Sequence, residues 1–294
     1  MLFVSEIPEN SEQQSIGHYI DEMPSLPISA TKALTLCNQP EVSATALTRV
    51  VSLDPVLTAQ VLRLINSTYY ALPTKVESLI RAVVMLGFNT VKNLVVSTIV
   101  VRSVRTQGAL PSSFADFFWH HSLCVGLLAK ALADLSGVLR VDQESYFVAG
   151  LLHDLGKIPL CHHDRGLYLK LFKSAEKNNQ PMHNAENRYM GIDHNKIGGL
   201  IAEKWQLGQR MGQVLSGHHD ANQLYGDNNR HLNIVSLADR WVNFVHQHQT
   251  HEGFNEDEEA VCLLTHGAIC SDQLAALWPK VEKEVANAEV FLHV

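Results

Sequence analysis

The stretch Gly150-Leu-Leu-His-Asp-Leu-Gly-Lys157 places an imidazole and a carboxylate side by side at the end of an apolar helical pattern. His153 follows Tyr146 and Gly150 at helical spacing, so it lies on the inward face of the predicted helix, and Asp154 is next to it. Imidazole and carboxylate ligands together suit first-row divalent metals, and an aspartate can bridge two ions. The stretch therefore predicts one side of a buried metal site inside a helical protein.

Helical periodicity extends over almost the whole chain of 294 residues. Between Leu57 and Ile65 apolar residues recur at helical spacing, and Asp54-Pro55 supplies an N-cap and a first-turn proline for that helix. Further helices are predicted at about 30–36, 44–51, 76–86, 90–101, 114–135, 144–155, 166–178, 183–191, 196–205, 209–219, 232–246 and 256–264. No strand-like alternation persists beyond a few residues, so the sequence predicts an all-α fold.

A stretch of small residues and proline divides the chain into two predicted subdomains. Thr106-Gln-Gly-Ala-Leu-Pro-Ser-Ser113 is typical of a connector. We therefore expect an N-terminal helical subdomain over residues 1–110 and a second helical subdomain, with the C-terminal helices, over residues 111–294. The hydrophobic content of 46% is sufficient for a large core and for two packed subdomains.

Composition and charge exclude several classes of function. The formal net charge is -7 with only 23 Lys and Arg residues, which argues against binding of nucleic acid. The most apolar region, 83–101, is interrupted by Asn89, Lys92 and Asn93, so no membrane span is expected, and no secretory signal is visible. The cysteines form no CxxC pair or evenly spaced framework, which indicates reduced thiols in a cytoplasm. They are Cys37, Cys124, Cys161, Cys262 and Cys270.

Other metal-capable side chains fall on the inward registers of separate predicted helices. His121 shares its register with Leu128, and Asp239 shares its register with Val242. An unpaired carboxylate on an apolar face is costly and usually has a metal, a cation or a shifted pKa. A single inward histidine is more often a hydrogen-bonded core residue than a ligand, but the coincidence of several such positions favours a bound metal. The full candidate set is His121, His153, Asp154, His194, His218, His219 and Asp239.

The string His246-Gln-His-Gln-Thr-His251 is also rich in histidine, but it leads into a polar, acidic segment. The string begins at the end of the predicted helix 232–246 and leads into the polar loop, and we leave it out of the candidate metal set. The neighbouring histidines His162-His163 are likewise expected at the surface.

In their order along the chain, the candidate residues resemble the signature of the HD superfamily of metal-dependent phosphohydrolases. The matching pieces are His121-Ser122, His153-Asp154-Leu-Gly-Lys157, Asp193-His194, His218-His219 and Ala238-Asp239. A narrower resemblance, from about residue 20 to residue 220, is to the HDOD domain, a signalling relative of the HD enzymes. Its pieces in the first half are Met23-Pro-Ser-Leu-Pro27, Val51-Ser-Leu-Asp-Pro-Val-Leu57, Arg63-Leu-Ile-Asn-Ser67 and Arg81-Ala-Val-Val-Met-Leu-Gly87.

The resemblance implies a multi-helical bundle of the HD type, preceded by an N-terminal helical subdomain, and it implies which residues form the metal set. The basic HD set matches His121, His153, Asp154 and Asp239. Asp154 is the expected bridge if two ions bind. Lys157 matches a lysine that lies near the metal and the phosphate in the HD-GYP branch of the superfamily.

Parts of the chain also match the HD-GYP branch, whose members hydrolyse cyclic dinucleotides. Additional ligands of that branch match His194 and either His218 or His219. The chain departs from the branch at two places. Asp220-Ala-Asn-Gln-Leu-Tyr225 stands where a Gly-Tyr-Pro motif is expected, and Phe117 stands where a carboxylate can serve as another ligand. These departures argue against hydrolysis of a cyclic dinucleotide.

Two functions from different classes follow from the resemblance. HDOD proteins are regulators in bacterial signalling, so the first hypothesis is a cytoplasmic regulatory or binding module that retains an HD-type metal site. The alternative is a metal-dependent phosphohydrolase or phosphodiesterase acting on a nucleotide or phosphodiester, with Asp154 and Lys157 as catalytic residues. The ligand set allows one or two divalent ions of iron, manganese, nickel, cobalt or zinc, and no organic cofactor is expected. In a binding module the inherited metal cage would be structural or empty. The expected partner is a signalling protein or a nucleotide-like small molecule, not nucleic acid or a membrane.

Overall fold

The computed structural model describes residues 26–39, 41–105, 110–220, 229–248 and 271–293 of the chain. Over these ranges the secondary structure is helical and contains no strand, which confirms the predicted all-α fold. No helix within the described ranges combines the length and the apolarity needed to cross a membrane. Some sequence features lie outside the described residues, namely 23–25, 106–109, 221–225, the predicted helix 256–264, His251, Cys262 and Cys270.

The first half of the chain folds into helices whose starts follow from local capping. Ser43 and Ser78 each accept a hydrogen bond from a backbone N–H group in the first turn of the helix that follows. Asp54 accepts the Leu57 N–H at 2.9 Å, and Pro55 occupies the first turn as the sequence predicts. The helices are α1 (Ile28–Cys37), α2 (Ala44–Val51), α3 (Pro55–Ile65), α4 (Leu79–Leu86) and α5 (Phe88–Arg105).

The second half of the chain consists of helices around one long central helix. They are α6 (Ser112–Leu135), α7 (Arg140–Leu152), α8 (Lys157–His163), α9 (Arg165–Asn178), α10 (Met182–Met190), α11 (His194–Lys204), α12 (Gln209–Gly217), α13 (Arg230–His248) and α14 (Ser271–Ala288), followed by a 3-10 helix (Glu289–His293). Helices α7, α13 and α14 pack along α6, and α5 packs against α7. Buried residues of both halves belong to one hydrophobic core. The division into subdomains at residue 110 stays a prediction.

Helices α6 and α7 cross where two glycines meet. A Cβ atom on Gly150 would lie 2.7 Å from the Cα atom of Gly126, a distance at which one of the helices would have to move. The two glycines therefore let the helix backbones touch at this point. His121 precedes Gly126 by somewhat more than one turn, and His153 follows Gly150 by about one turn. The close crossing thus brings the two imidazoles together, with 5.3 Å between their ring centres.

Helix α7 ends at Leu152, whereas the sequence predicts a helix that continues to Leu155. The next residues form turns, and α8 begins only at Lys157. Helix α11 packs directly against this turn, since a Cβ atom on Gly156 would collide with the backbone carbonyl of His194. Apolar periodicity continues through the turn, so the pattern alone gives no sign of the helix end.

Candidate metal centre

Asp154 occupies the middle of the candidate site, in the turn between α7 and α8. Its side chain is buried, and its two carboxylate oxygens face different pairs of imidazoles. Oδ2 lies 3.6 Å from Nε2 of His121 and 3.3 Å from Nε2 of His153. Oδ1 lies 3.3 Å from Nε2 of His194 and 3.6 Å from Nε2 of His218. One carboxylate therefore links two separate imidazole pairs.

Asp239 on α13 supplies a second buried carboxylate. Its Oδ1 lies 3.0 Å from Nε2 of His121 and 3.4 Å from Nε2 of His153, and it accepts a hydrogen bond of 2.8 Å from the Asn243 amide. Its Oδ2 lies 3.7 Å from Nδ1 of His219. Burial acts to raise the pKa of Asp239, but the two imidazoles beside Oδ1 outweigh it and hold the pKa well below its usual range. Asp239 is therefore an anion that closes the side of the centre formed by His121 and His153.

Hydrogen bonds at Nδ1 fix the orientation of the inner imidazoles. His153 Nδ1 donates to the carbonyl oxygen of Gly150 at 2.7 Å, and His218 Nδ1 donates to that of Val214 at 2.9 Å. A proton on Nδ1 leaves Nε2 of a neutral imidazole with a free lone pair. Among the described residues, the buried Nε2 atoms of His153, His194 and His218 have no hydrogen-bond partner. These Nε2 atoms all face Asp154, and each can offer a lone pair to a metal ion once it carries no proton.

Glu186 on α10 orients His194, a role that the sequence analysis missed. Its Oε2 lies 2.5 Å from Nδ1 of His194 and accepts the His194 backbone N–H at 2.9 Å, while Oε1 accepts the Tyr168 hydroxyl at 2.8 Å. Burial acts to raise the pKa of Glu186, but His194 outweighs it and lowers the pKa. The sequence does contain an indication that Glu186 faces inward. Glu186 lies one turn after Met182 and one turn before Met190, so it shares their inward register.

The sequence left open which of His218 and His219 faces the metal, and the structure gives them different positions. His218 is fully buried and faces Asp154. His219 keeps 18% of its side chain exposed, lies against Asp239 and stacks on His183 with 4.4 Å between the ring centres. His218 therefore completes the inner side of the centre, and His219 borders its opening.

Lys157 contributes a positively charged ammonium group to the centre. Its Nζ lies 2.5 Å from Oδ2 of Asp154. Burial acts to lower the pKa of Lys157, but Asp154, Glu186 and Asp239 outweigh it and raise the pKa, so the ammonium group stays protonated. Lys157 thus stands beside the carboxylate that links the two imidazole pairs.

A cavity of about 450 Å³ opens beside the centre. Lys157, His219 and Asp239 line it on the side of the centre, and Phe117 and Phe172 contribute aromatic walls. Small-molecule sites in proteins commonly have volumes of about 300 to 1,000 Å³ with mostly apolar walls and a few polar groups. The cavity therefore has the size and the lining of a small-molecule site that reaches Asp239.

The side chains predicted as metal ligands meet in one centre and fall into two groups. Within each group, one potential ligand atom per residue lies within 4.8 Å of the others. The first group is His121, His153 and Asp239, and the second group is Asp154, His194, His218 and His219. A divalent cation would satisfy both the buried carboxylates and the buried Nε2 lone pairs. The residues present therefore fit a metal, and the assignment of each ligand stays a prediction.

The charge of the centre also favours a cation. Burial acts to lower the pKa of His153, but the carboxylates of Asp154 and Asp239 outweigh it and raise the pKa to about 10. An imidazole that binds a proton this strongly lies in a field of negative charge. A metal ion placed among these carboxylates would gain from the same field and would compete with that proton.

Comparison with known proteins gives a family and a distant relative. The sequence profile of the HDOD domain matches residues 23–221. An uncharacterized protein of Treponema pallidum (strain Nichols) is 23% identical over 247 residues, which make up 81% of this chain and 47% of that protein. The chain thus spans about half of the length of the curated relative that it matches.

Two solved structures resemble this fold along nearly the whole chain. A candidate phosphohydrolase from Shewanella amazonensis SB2B is 22% identical, with a TM-score of 0.73, and the match covers 95% of this chain and 98% of that chain. An HDOD domain protein from Geobacter sulfurreducens is 21% identical, also with a TM-score of 0.73, and the match covers 96% and 98% of the two chains. At these identities the likeness establishes the fold alone.

Proposed function

Because the chain belongs to the HDOD domain family, we propose that it is a regulatory binding module that keeps a divalent-metal centre of the HD type. The observation that carries the proposal is the position of Asp154, whose two carboxylate oxygens face different imidazole pairs. Buried polar atoms with a purely structural role are normally satisfied by hydrogen bonds, and several atoms of this centre are not. A bound cation accounts for both features.

The two groups of side chains support two ion positions. The first group, closed by Asp239, would hold one ion, and the second group, around His194, would hold the other. Asp154 would be shared between them, as bridging carboxylates are in two-metal sites. Imidazole and carboxylate ligands suit iron, manganese, nickel, cobalt or zinc. When bound, such an ion acts as a Lewis acid toward a phosphoryl oxygen.

The ligand class favoured by the cavity is a small, phosphate-bearing molecule. Lys157 lines the cavity and stays protonated, so it offers a charge-assisted hydrogen bond to a phosphate oxygen. The rings of Phe117 and Phe172 offer a surface to a planar or apolar group at the other end of the molecule. A nucleotide-like molecule has both parts. The net charge of -7 disfavours a long nucleic acid in the same place.

A metal-dependent phosphohydrolase is the second candidate, and Lys157 is the residue that favours it. Its ammonium group would offset negative charge that develops on phosphoryl oxygens during cleavage of a phosphate ester. Cyclic dinucleotides are the less favoured substrates. Phe117 stacks on His121 with 5.9 Å between the ring centres, in the place where the HD-GYP branch can use a carboxylate ligand.

Binding and turnover of phosphate compounds separate the two candidates. Protein loaded with Mn²⁺ is titrated with inorganic phosphate and with nucleoside monophosphates by calorimetry, and release of phosphate is measured in parallel. A binding module should bind these compounds without releasing phosphate. An enzyme should release phosphate, and Asp154→Asn should abolish the release. Release that persists in Asp154→Asn would come from a contaminating enzyme and would count against the second candidate.

Lys157→Met tests the ligand class directly. Loss of one charge-assisted hydrogen bond should weaken phosphate binding about 10-fold while the metal content stays the same. Lys170→Met is the matched control, because Lys170 is an exposed lysine on α9 outside the lining of the cavity. Phosphate affinity that is equal in both variants and in the unaltered protein would contradict the assignment.

A signal would leave this module by contact between its helical scaffold and a partner signalling protein in the bacterial cytoplasm. The described cysteines Cys37, Cys124 and Cys161 are free thiols, which suits a reducing compartment. Since the partner would bind the scaffold, the double variant His153→Ala with Asp154→Ala should still bind it. Loss of partner binding in a variant that remains folded would contradict the scaffold role.

A further inference from the structure

A second group of metal-capable side chains lies on the neighbouring face of α6. His120 and Cys124 stand one turn apart on that helix, and His246 reaches them from α13. Nδ1 of His120 lies 3.8 Å from Sγ of Cys124, and the ring centres of His120 and His246 are 5.6 Å apart. One potential ligand atom from each residue lies within 4.8 Å of the other two. None of these side chains belongs to the set described for the main centre.

The separations are close to those of a tetrahedral zinc site. Bond lengths of about 2.0 to 2.1 Å to nitrogen and about 2.3 Å to sulfur place neighbouring ligand atoms roughly 3.3 to 3.8 Å apart. The distance between Cys124 Sγ and His120 Nδ1 is already 3.8 Å. Because His120 is exposed and His246 is only half-buried, small side-chain rotations can close the remaining distances.

The surroundings of Cys124 keep its thiol protonated until a metal ion displaces the proton. The side chain is 1% exposed, and burial, with a smaller effect of the Glu282 carboxylate, raises the pKa of the thiol to about 12. Without a cation the thiol is therefore neutral and inert. A divalent ion would displace the proton and would be attracted by the same Glu282 charge. Exposed His120 gives the ion a route from solvent to the sulfur.

We propose that His120, Cys124 and His246 bind one borderline-soft divalent ion of the Zn²⁺ class, with the fourth position open to water. One thiolate and two imidazoles select such an ion over Mn²⁺ or Mg²⁺. Binding breaks the S–H bond, releases the proton to solvent and forms a metal–sulfur bond. The site does not depend on the function proposed above, since the main centre offers only nitrogen and oxygen ligands.

Cobalt spectroscopy tests this site without any assay of activity. A thiolate bound to Co²⁺ gives a near-ultraviolet charge-transfer band, which nitrogen and oxygen ligands do not give. Metal-stripped, full-length protein without an affinity tag is titrated with Co²⁺. We expect the band in the unaltered protein, in Asp154→Asn and in Cys161→Ala, and we expect its loss in Cys124→Ala.

The histidine variants complete the test. His120→Ala and His246→Ala should each abolish the band, and circular dichroism verifies that each variant is folded. Because His120 is exposed, we expect His120→Ala to fold. This variant therefore tests the metal site even if Cys124→Ala does not fold. Absence of the band in the unaltered protein, or its survival in Cys124→Ala, would overturn the proposal. A band unchanged in both histidine variants would also overturn it, because the sulfur would then bind cobalt without the imidazoles.

Discussion

Oε2 of Glu186 lies 2.5 Å from Nδ1 of His194, so a buried carboxylate stands directly behind one of the imidazoles that face Asp154. The Tyr168 hydroxyl donates to the other carboxylate oxygen at 2.8 Å and fixes the group in place. A carboxylate behind a ligating imidazole sets the orientation of the ring and raises its basicity. Glu186 is therefore a positioning residue for the His194 side of the centre.

Replacing Glu186 by glutamine should weaken metal binding while the fold is kept. Glutamine preserves the shape but removes the negative charge, so the affinity for Zn²⁺ or Mn²⁺ should fall about 10- to 100-fold. Competition with a chelator of known affinity measures the change. Tyr168→Phe, which removes only the hydroxyl bonded to Glu186, should cause a smaller loss. Unchanged affinity in Glu186→Gln would rule out the positioning role.

The crossing of α6 and α7 should be sensitive to a single methyl group. Gly150→Ala would force the two helices apart at Gly126, and we expect a loss of about 2 kcal/mol or more in the free energy of unfolding in urea. Gly166→Ala is the matched control, since its Cβ atom would lie at an ordinary distance of 3.5 Å from Oδ1 of Asp164. Equal stability of the two variants would show that the glycine contact does not set the crossing.

Asp54 should contribute to the acid dependence of stability. Burial acts to raise its pKa, but the Leu57 N–H and the Arg102 guanidinium, 3.1 Å away, outweigh burial and lower the pKa below its ordinary value of 3.8. Because the folded-state pKa lies below the unfolded-state pKa, this stabilisation is present at neutral pH and is lost as the pH falls through the folded-state pKa.

The test compares urea unfolding of Asp54→Asn and the unaltered protein at several pH values. The variant should be less stable at pH 7, by less than about 1 kcal/mol for a pair at the protein surface, and the difference should shrink below about pH 4. Arg102→Gln should reduce the same pH dependence. A stability difference that stays constant from pH 7 down to pH 3 would contradict this assignment.

The sequence located much of the centre because its polar members lie on apolar helical faces. His121 and Asp239 each share a register with core residues, and both are 1% exposed in the structure. A period of 3.6 residues reports which side of a helix faces inward, even when the partners of an inward residue are unknown. The same periodicity gave the all-α fold, since it recurs along most of the chain.

The sequence does not predict contacts that depend on how separate helices pack against each other. The close packing of α11 on Gly156 and the contact of Glu186 with His194 both depend on how distant or turning segments come together. The sequence places His246 at the end of the predicted helix 232–246, outside the candidate metal set. In the structure α13 continues to His248, and the His246 ring lies 5.7 Å from the His121 ring. Residue pattern reports burial, but it does not report which buried or half-buried groups become neighbours.

Elemental analysis tests the central claim of a metal centre around Asp154 most directly. The protein is expressed without an affinity tag, carries His120→Ala so that the sulfur site does not contribute, and is prepared with and without oxygen. We expect about one to two transition-metal ions per chain, retained in His163→Ala, an exposed control on α8, and lost in His153→Ala with Asp154→Ala. Metal-free protein from both preparations, or a metal content unchanged by the double substitution, would contradict the claim.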